Sequence, residues 1–223
     1  MPDLAPVWLS IQLALVTTVI LLALATPLAW WLANTRSALK PVIEAITALP
    51  LVLPPTVLGF YLLLMLNPEA PIGAFWVTMS GESLTFSFSG LVAASLVYSL
   101  PFAVQPLQGA FEAVGRGAME AAASLRARPL DAFFTVAVPL SARGFLTAGV
   151  LTFAHTIGEF GVILMVGGNI PGRTRVLSIA VFEHVETLRY QEAHILSAGL
   201  LIFSFVTLLS VYALNRRYRI RVG

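Results

Sequence analysis

The chain has 223 residues, of which 58% are hydrophobic and only 11% are charged, against about 25% charged residues in an ordinary soluble domain. Together with a mean hydropathy of +0.87, this composition predicts an integral membrane protein. The absence of cysteine excludes a disulfide scaffold, a thiolate metal site and a cysteine nucleophile, and a net charge of +2 is too small to indicate nucleic-acid binding.

Hydrophobic runs predict where the chain crosses the membrane, because a helix needs about 20 predominantly apolar residues to span the hydrocarbon core. We expect five spans, in chain order at residues 7–33, 42–66, 86–107, 145–166 and 195–214. The first is too long for a signal peptide and follows no basic region, so it is predicted to remain as an anchor. The prediction is a single all-α transmembrane domain over residues 1–223, a polytopic membrane protein with about five transmembrane helices.

Prolines interrupt the second span. Pro50, Pro54 and Pro55 remove backbone donors and are predicted to bend or break the helix, which frees carbonyl groups that must be satisfied inside the protein. In a transporter such a break often lines the pathway or acts as a hinge. The three prolines are therefore candidate pathway or hinge residues, and a static kink that improves packing is the alternative.

The fourth span carries the polar pair His155 and Glu159. The two residues are four positions apart, so one helix would place them on the same side. A carboxylate at membrane depth is a functional candidate, which makes Glu159 a candidate pathway or hinge residue. A structural role, in which it hydrogen-bonds neighbouring helices or a second copy, is favoured over lining the route. Two such side chains without a third ligand do not indicate a metal site.

Basic residues predict the orientation, because cytoplasmic loops of membrane proteins carry an excess of Lys and Arg. Of the 13 basic residues, two follow the first span, four follow the third and four lie in the C-terminal tail, which places ten on one side and three on the other. The N-terminus is therefore predicted outside and the C-terminus in the cytoplasm. The arginines within residues 216–221 are predicted to anchor the tail at lipid headgroups.

The long cytoplasmic connection, residues 108–144, has a helical pattern. Gly115 and Gly117 are predicted to break the helix, after which a short helix at 118–127 and a second at 130–137 lead to the fourth span. This connection is either a docking surface or a large solvated loop.

A motif in this connection resembles the Glu-Ala-Ala loop of bacterial ABC importer permeases, whose pattern is E-A-A-x3-G-x9-I-x-L-P. The residues that match at this spacing, with valine at the two aliphatic positions, are Glu120, Ala121, Ala122, Val136, Val138 and Pro139. Arg126 stands where the family usually has glycine. The motif lies between two predicted spans, on the side that the positive charges select.

Further stretches resemble the molybdate permease branch of this family, whose nearest relatives are sulfate permeases. They are residues 49–59 in the second span, and residues 157–161 and 168–174 in and after the fourth. The resemblance extends from about residue 10 to residue 216, which is nearly the whole chain.

The resemblance implies a type I importer permease that translocates molybdate across the bacterial cytoplasmic membrane, with its N-terminus in the periplasm. Two copies of the chain would form the pathway, two ATP-binding subunits would lie beneath them, and a periplasmic binding protein would deliver the oxyanion. Glu120, Ala121, Ala122, Arg126 and Pro139 would couple this chain to the ATPase; a solvated loop helix is the alternative for that motif.

This chain would then be a non-catalytic subunit without a cofactor of its own, since the partner would bind ATP and Mg. The residues agree with this division, because the chain has no G-x-x-x-x-G-K-[ST] phosphate loop and only one lysine, Lys40.

Other functions compete with this interpretation. Sulfate or tungstate is the alternative cargo, since each is a tetrahedral dianion like molybdate. A stand-alone secondary transporter, with Glu159 and His155 as a proton relay, is the alternative from a different class. Against it, five spans give no inverted repeat and no internal duplication is visible. An intramembrane enzyme would need a nucleophile and base or a set of metal ligands, which the sequence does not offer.

Overall fold

A computed structural model describes residues 4–217, of which residues 214–217 are described by their backbone alone. This part of the chain is helical and contains no strand. Its first six helices are α1 (Ala5–Asn34), α2 (Lys40–Ala48), α3 (Pro55–Leu66), α4 (Pro71–Ser80), α5 (Phe88–Tyr98) and α6 (Leu100–Ser124). The others are α7 (Pro129–Ala132), α8 (Val138–Leu140), α9 (Ala142–Gly158), α10 (Gly161–Gly167), α11 (Leu177–Glu186) and α12 (Tyr190–Arg217).

Two short turns complete the helical segments. A 3-10 turn, Leu49–Leu51, extends α2, and a π-helical turn, Phe133–Ala137, joins α7 to α8. Arg219 and Arg221 of the predicted headgroup anchor lie outside the described residues.

Two helices, Ala5–Asn34 and Tyr190–Ala213, are each long and apolar enough to cross a membrane. Three helix pairs reach that length and composition only together, because each is bent. The bent pairs are Lys40–Leu51 with Pro55–Leu66 (108°), Phe88–Tyr98 with Leu100–Ser124 (43°), and Pro129–Leu140 with Ala142–Gly158 (69°). The described residues therefore contain up to five spans if each bent pair counts as one.

Two apolar clusters hold these helices together. One joins α3, α5 and α10 to α1 and α11, and the other joins α1, α6 and α9. In the second cluster the contact residues include Ala25, Ala29, Ala103 and Ala148, all fully buried, and such small side chains let membrane helices approach closely. α12 packs against α11 in a smaller cluster of Leu177, Ala180 and Leu196, although only 6% of its apolar window is buried.

The chain turns sharply where the prolines of the second predicted span cluster. Pro54 has an extended ψ of 133°, because a residue that precedes a proline, here Pro55, is disfavoured in the α region. Pro55 then begins α3, a position at which the missing N–H has no partner to lose. Leu53 lies just before this turn and packs against the first apolar cluster.

The fourth predicted span, residues 145–166, differs from the structure, because the helix breaks inside it. α9 ends at Gly158, Glu159 has an extended ψ of 133° and Phe160 has φ −129°. No proline lies here, and apolar residues continue on both sides, so composition alone predicts one helix. A tertiary hydrogen bond holds the break. The Ser178 hydroxyl donates to the Glu159 carbonyl oxygen, which in an uninterrupted helix would accept from the backbone N–H four residues later.

The two segments that follow these breaks, α3 and α10, pack against each other through glycine. A Cβ on Gly59 would lie 2.8 Å from Met165 Cβ and 3.1 Å from Val162 Cα. On the other helix, a Cβ on Gly161 would lie 3.0 Å from Pro55 Cβ. The close approach therefore depends on the absence of a side chain at both glycines.

The connection over residues 108–144, which is predicted to be cytoplasmic, departs from its predicted boundaries at both ends of the short helix. α6 continues unbroken to Gly115, whose φ of 69° interrupts the helical geometry, while Gly117 lies within a helix. The helix then ends at Ser124 rather than at residue 127, because Arg126 has a φ of 61°. Pro129 begins the next helix.

Candidate functional site

Both helix breaks border one cavity of about 500 Å³. Its lining includes Pro55 and Thr56 at the start of α3, Tyr98 at the end of α5, His155 and Glu159 at the end of α9, and Gly161 at the start of α10. The cavity therefore brings together two predicted pathway or hinge residues, Pro55 and Glu159. Pro54 is exposed beside Pro55, whereas Pro50 is buried in the preceding 3-10 turn and does not line the cavity.

The Glu159 carboxylate is buried behind the cavity wall, with its side chain 0% exposed. Ser95 Oγ donates to its Oε2 at 2.6 Å, and Ser99 Oγ donates to its Oε1. Ser95 belongs to α5 and Ser99 lies at the junction of α5 and α6. One carboxylate thus ties the α9–α10 break to the α5–α6 bend. This contact is the helix-joining role that the sequence analysis favours for Glu159.

His155 lies between the buried carboxylate and the cavity. Its Nδ1 is 2.9 Å from Ser99 Oγ and 3.4 Å from Glu159 Oε1. The ring stacks on Phe102 with centroids 3.9 Å apart, and the Tyr98 ring centroid lies 4.8 Å away on α5. His155 is not among the predicted pathway or hinge residues, although its four-residue spacing from Glu159 is the sequence signal for this pairing.

The predicted coupling residues lie elsewhere, on the connection over residues 108–144. Glu120, Ala121 and Ala122 belong to the last turns of α6, Arg126 follows that helix, and Pro139 lies further along in α8. Glu120 and Ala121 are exposed, whereas Ala122 is buried. None of these five residues lines the cavity, so the candidate residues form two separate groups.

Arg126 ends the short helix in a left-handed conformation. The Ala127 N–H donates to the Ala122 carbonyl at 3.1 Å, and the Arg126 N–H donates to the Ala123 carbonyl at 2.9 Å. This pair of bonds is a Schellman motif, whose left-handed position is usually glycine. Arg126, the departure from the family pattern, therefore adopts the backbone conformation to which glycine is best suited.

The surface around Glu120 combines a carboxylate with exposed apolar side chains. Leu125 is 84% exposed, Leu130 72% and Phe134 65%. Among the residues whose side chains are described, Glu120 takes part in no salt bridge. Large apolar side chains exposed in this way are a reason to look for an interaction surface along this connection.

A metal site is not formed by the described side chains, since no three His, Asp or Glu residues among them cluster closely enough to hold an ion.

Comparison with known proteins shows relatives along nearly the whole chain. Residues 25–221 match the family model described as "Binding-protein-dependent transport system inner membrane component". The chain is 56% identical over 217 residues to the molybdenum transport system permease protein ModB of Azotobacter vinelandii, covering 97% of this chain and 96% of that protein. It is 32% identical to the ModB protein of Haemophilus influenzae, covering 99% and 97%.

The fold is also similar to a solved structure. The MetNI methionine ABC transporter, in inward-facing conformations, aligns with a TM-score of 0.71 at 18% identity and covers 95% of this chain and 94% of the solved one. The predicted fold, an all-α membrane protein of the type I importer permease class, is confirmed. Since the family model matches most of the sequence, the chain belongs to the binding-protein-dependent transport system inner membrane components.

Proposed function

We propose that this chain is the membrane-spanning subunit of an ATP-driven importer that moves molybdate across the bacterial cytoplasmic membrane. The observation that carries the proposal is the 56% identity, over nearly the full length of both chains, to a molybdenum permease. The cavity between the broken helices supports it, because irregular backbone at membrane depth is tolerated where it lines a cavity or is buried in protein. The N-terminus is periplasmic and the C-terminus cytoplasmic, as the ten-to-three division of basic residues favours.

ATP hydrolysis belongs to a separate subunit that binds ATP and Mg. The exposed surface around Glu120, with Leu125, Leu130 and Phe134, is where that subunit docks on the cytoplasmic side. Docking would cover these apolar side chains and pair the Glu120 carboxylate with a donor. The Schellman turn at Arg126 orients the end of the short helix within this surface.

The other partners are a second copy of this chain, membrane lipid and a periplasmic oxyanion-binding protein. α2, α3 and the residues between them leave large apolar side chains exposed, among them Val52 (82%), Ile46 (62%) and Tyr61 (58%). A second copy, related by a two-fold axis, covers part of this surface, since closed cyclic symmetry is the usual arrangement of identical subunits. The route for the anion then runs between the two copies.

Uptake by the reconstituted complex tests the function. Proteoliposomes that contain this chain, its ATP-binding subunit and the binding protein should accumulate radiolabelled molybdate when ATP is supplied inside. Native mass measurement should find two copies of this chain and two of the ATPase. Tungstate and sulfate serve as competitors that define the cargo. Uptake of sulfate but not molybdate would contradict the proposed cargo, and accumulation without the ATPase would contradict the mechanism.

A matched pair of substitutions on α6 tests the coupling surface. Glu120→Gln should slow molybdate uptake and binding-protein-stimulated ATP hydrolysis about tenfold or more, because an unpaired buried partner group costs roughly 1–3 kcal/mol. Glu120→Lys should abolish both. Glu112→Gln is the control, since Glu112 lies on the same helix in an exposed pair with Lys40 at 3.4 Å, and such pairs contribute about 1 kcal/mol or less. Equal, mild effects at both positions would contradict the docking role and favour the alternative, a solvated loop helix.

A further inference from the structure

A groove of a different kind runs along α12, most of whose apolar surface the rest of the protein leaves uncovered. It consists of two cavities of about 330 and about 690 Å³. Gly199 and Phe203 of α12 line both cavities, and residues of α1 and α9 also line both. The two cavities therefore form one continuous groove between α1 and α12, with α9 along its length.

The lining of this groove is apolar. None of the described residues that line it is charged, and most are Leu, Ile, Val or Phe. The hydroxyls of Ser10 and Ser210 donate to backbone carbonyl oxygens one turn earlier on their own helices. The Thr18 Oγ1 atom is covered by protein, so it does not face the open space. The groove therefore suits a hydrocarbon ligand.

The volume of the groove is too small to admit another transmembrane helix. From Leu4 to Thr18 the groove follows α1 for about 21 Å, at about 1.5 Å per residue. A helix about 10 Å across fills about 400 Å³ in each turn, so the four turns of that length would need about 1,600 Å³, well above the volumes of the two cavities. An acyl chain is far thinner than a helix, and the hydrocarbon of one membrane leaflet is about 15 Å deep. The groove is therefore narrow enough and long enough for an acyl chain.

The groove is continuous with the lipid-facing surface of α12. Ile202 lines the larger cavity and is 61% exposed, and its neighbours Leu201 and Phe205 are 70% and 64% exposed. α12 is long and apolar enough to cross a membrane, so this face meets lipid. Because lipid tails are as apolar as the lining, burial alone does not draw them in. The gain comes from packing, since an empty groove leaves its lining side chains without contact atoms on one side.

We propose that an acyl chain of a membrane phospholipid occupies the groove between α1 and α12 as a bound ligand. α12 packs chiefly against α11 and α9, and the acyl chain completes its packing on the side of α1. The assignment goes beyond anion transport. It requires only that this protein is integral to the membrane, as its family and its apolar helices show.

Gly199 allows the groove to be filled without a clash. A Cβ at this position would meet no atom within 4 Å, although the residue lines both cavities. Gly199→Leu should therefore place its side chain in the space of the acyl chain, whereas Gly199→Ala should leave most of that space open. Alanine is the matched control, because both substitutions remove the cost of glycine inside a helix.

Photocrosslinking of the complete complex, with ATPase and binding protein, measures the occupant. The probe is phosphatidylglycerol with a diazirine in one acyl chain. We expect labelling of the lining residues Ile11, Val150 and Leu200 in wild type and in Gly199→Ala, and at least about fivefold less in Gly199→Leu. Native mass measurement should find about one phospholipid fewer per copy of Gly199→Leu. A lysolipid with one long chain should compete with the probe, whereas a diacyl lipid with six-carbon chains should not, because the groove binds the chain rather than the headgroup.

Three results would overturn the proposal. Equal labelling of the leucine and alanine variants would show that the acyl chain lies outside the groove. Labelling confined to outward positions such as Leu201 and Phe205 would show only the surrounding bilayer. Competition by the six-carbon lipid equal to that by the lysolipid would show that the headgroup is recognised. The wild-type labelling pattern decides the matter even if Gly199→Leu does not assemble. Molybdate uptake enters none of these measurements, so a failure of the proposed function is a separate result.

Discussion

Two helix breaks border the same cavity, but they are held in different ways. Between α2 and α3 the chain turns by 108° at residues that include Pro54 and Pro55. Between α9 and α10 there is no proline, and the break is held by hydrogen bonds from serines to Glu159. The first break follows from the backbone of its own residues, whereas the second depends on side chains from α5, the α5–α6 junction and α11.

This difference indicates how each break responds to substitution. α3 carries Leu58, Leu62 and Leu66 into the apolar core, so its position is maintained by packing even if a proline is removed. α10 likewise carries Val162, Ile163 and Val166 into this core, but at the α9–α10 break the carboxylate of Glu159 is in addition the acceptor for two buried hydroxyl groups. Removing a proline should therefore matter much less than removing the carboxylate.

The largest effect is expected for Glu159→Leu. The substitution leaves the hydroxyls of Ser95 and Ser99 without their acceptor, and each buried unpaired group costs about 1–3 kcal/mol. We expect a loss of roughly 3 kcal/mol or more, measured as a lower thermal midpoint of the purified chain in detergent. Glu82→Leu, at an exposed position, is the control and should change stability by less than about 0.5 kcal/mol. A midpoint equal to wild type would show that the carboxylate does not hold this break.

A smaller effect, a gain in stability, is expected for Arg126→Gly. This residue lies at a third helix interruption, which local backbone hydrogen bonds hold. Arg126 has a φ of 61°, a conformation that costs an L-residue about 1 kcal/mol and glycine little. Arg126→Gly should therefore stabilise the turn by up to about 1 kcal/mol, seen as slower hydrogen exchange of the Ala127 amide. Arg126→Val should accelerate that exchange. If valine is tolerated as well as glycine, the left-handed turn is not maintained in solution.

The smallest effect is expected for Pro55→Ala. Stability should fall by only about 0.4–1 kcal/mol, because the unfolded chain gains freedom while α3 keeps its core contacts. The chain has no native cysteine, so spin labels at Ala45→Cys and Leu64→Cys report the distance between α2 and α3 cleanly when the labelled chain is diluted into unlabelled copies. The mean distance should be unchanged. A lengthened distance would mean that the proline alone maintains the bend and that packing does not.

The short helix that ends at Ser124 and the α9–α10 break show where prediction from the sequence succeeds and where it ends. Gly115 marks the kink in α6, and glycine is the residue for which a positive φ is favourable. The end of the short helix was harder to predict, because Arg126 is not a residue type that signals a left-handed turn. At Glu159 the flanking Gly158 and Gly161 were the only local signal of a break, and its other determinants, Ser95 and Ser99, are 60 or more positions away.

The sequence by itself determined the membrane class, the all-helical fold, the proline turn and the family, because hydrophobic length, proline geometry and motif spacing are properties of neighbouring residues. Only the tertiary structure decided that α9 and α10 are separate helices, that Gly59 and Gly161 allow α3 and α10 to touch, and that His155 lies beside both a cavity and the buried carboxylate of Glu159. Each of these depends on which distant groups meet in a low-dielectric interior, where a buried polar group must find a partner. Those partners come from helices that are far apart in the sequence.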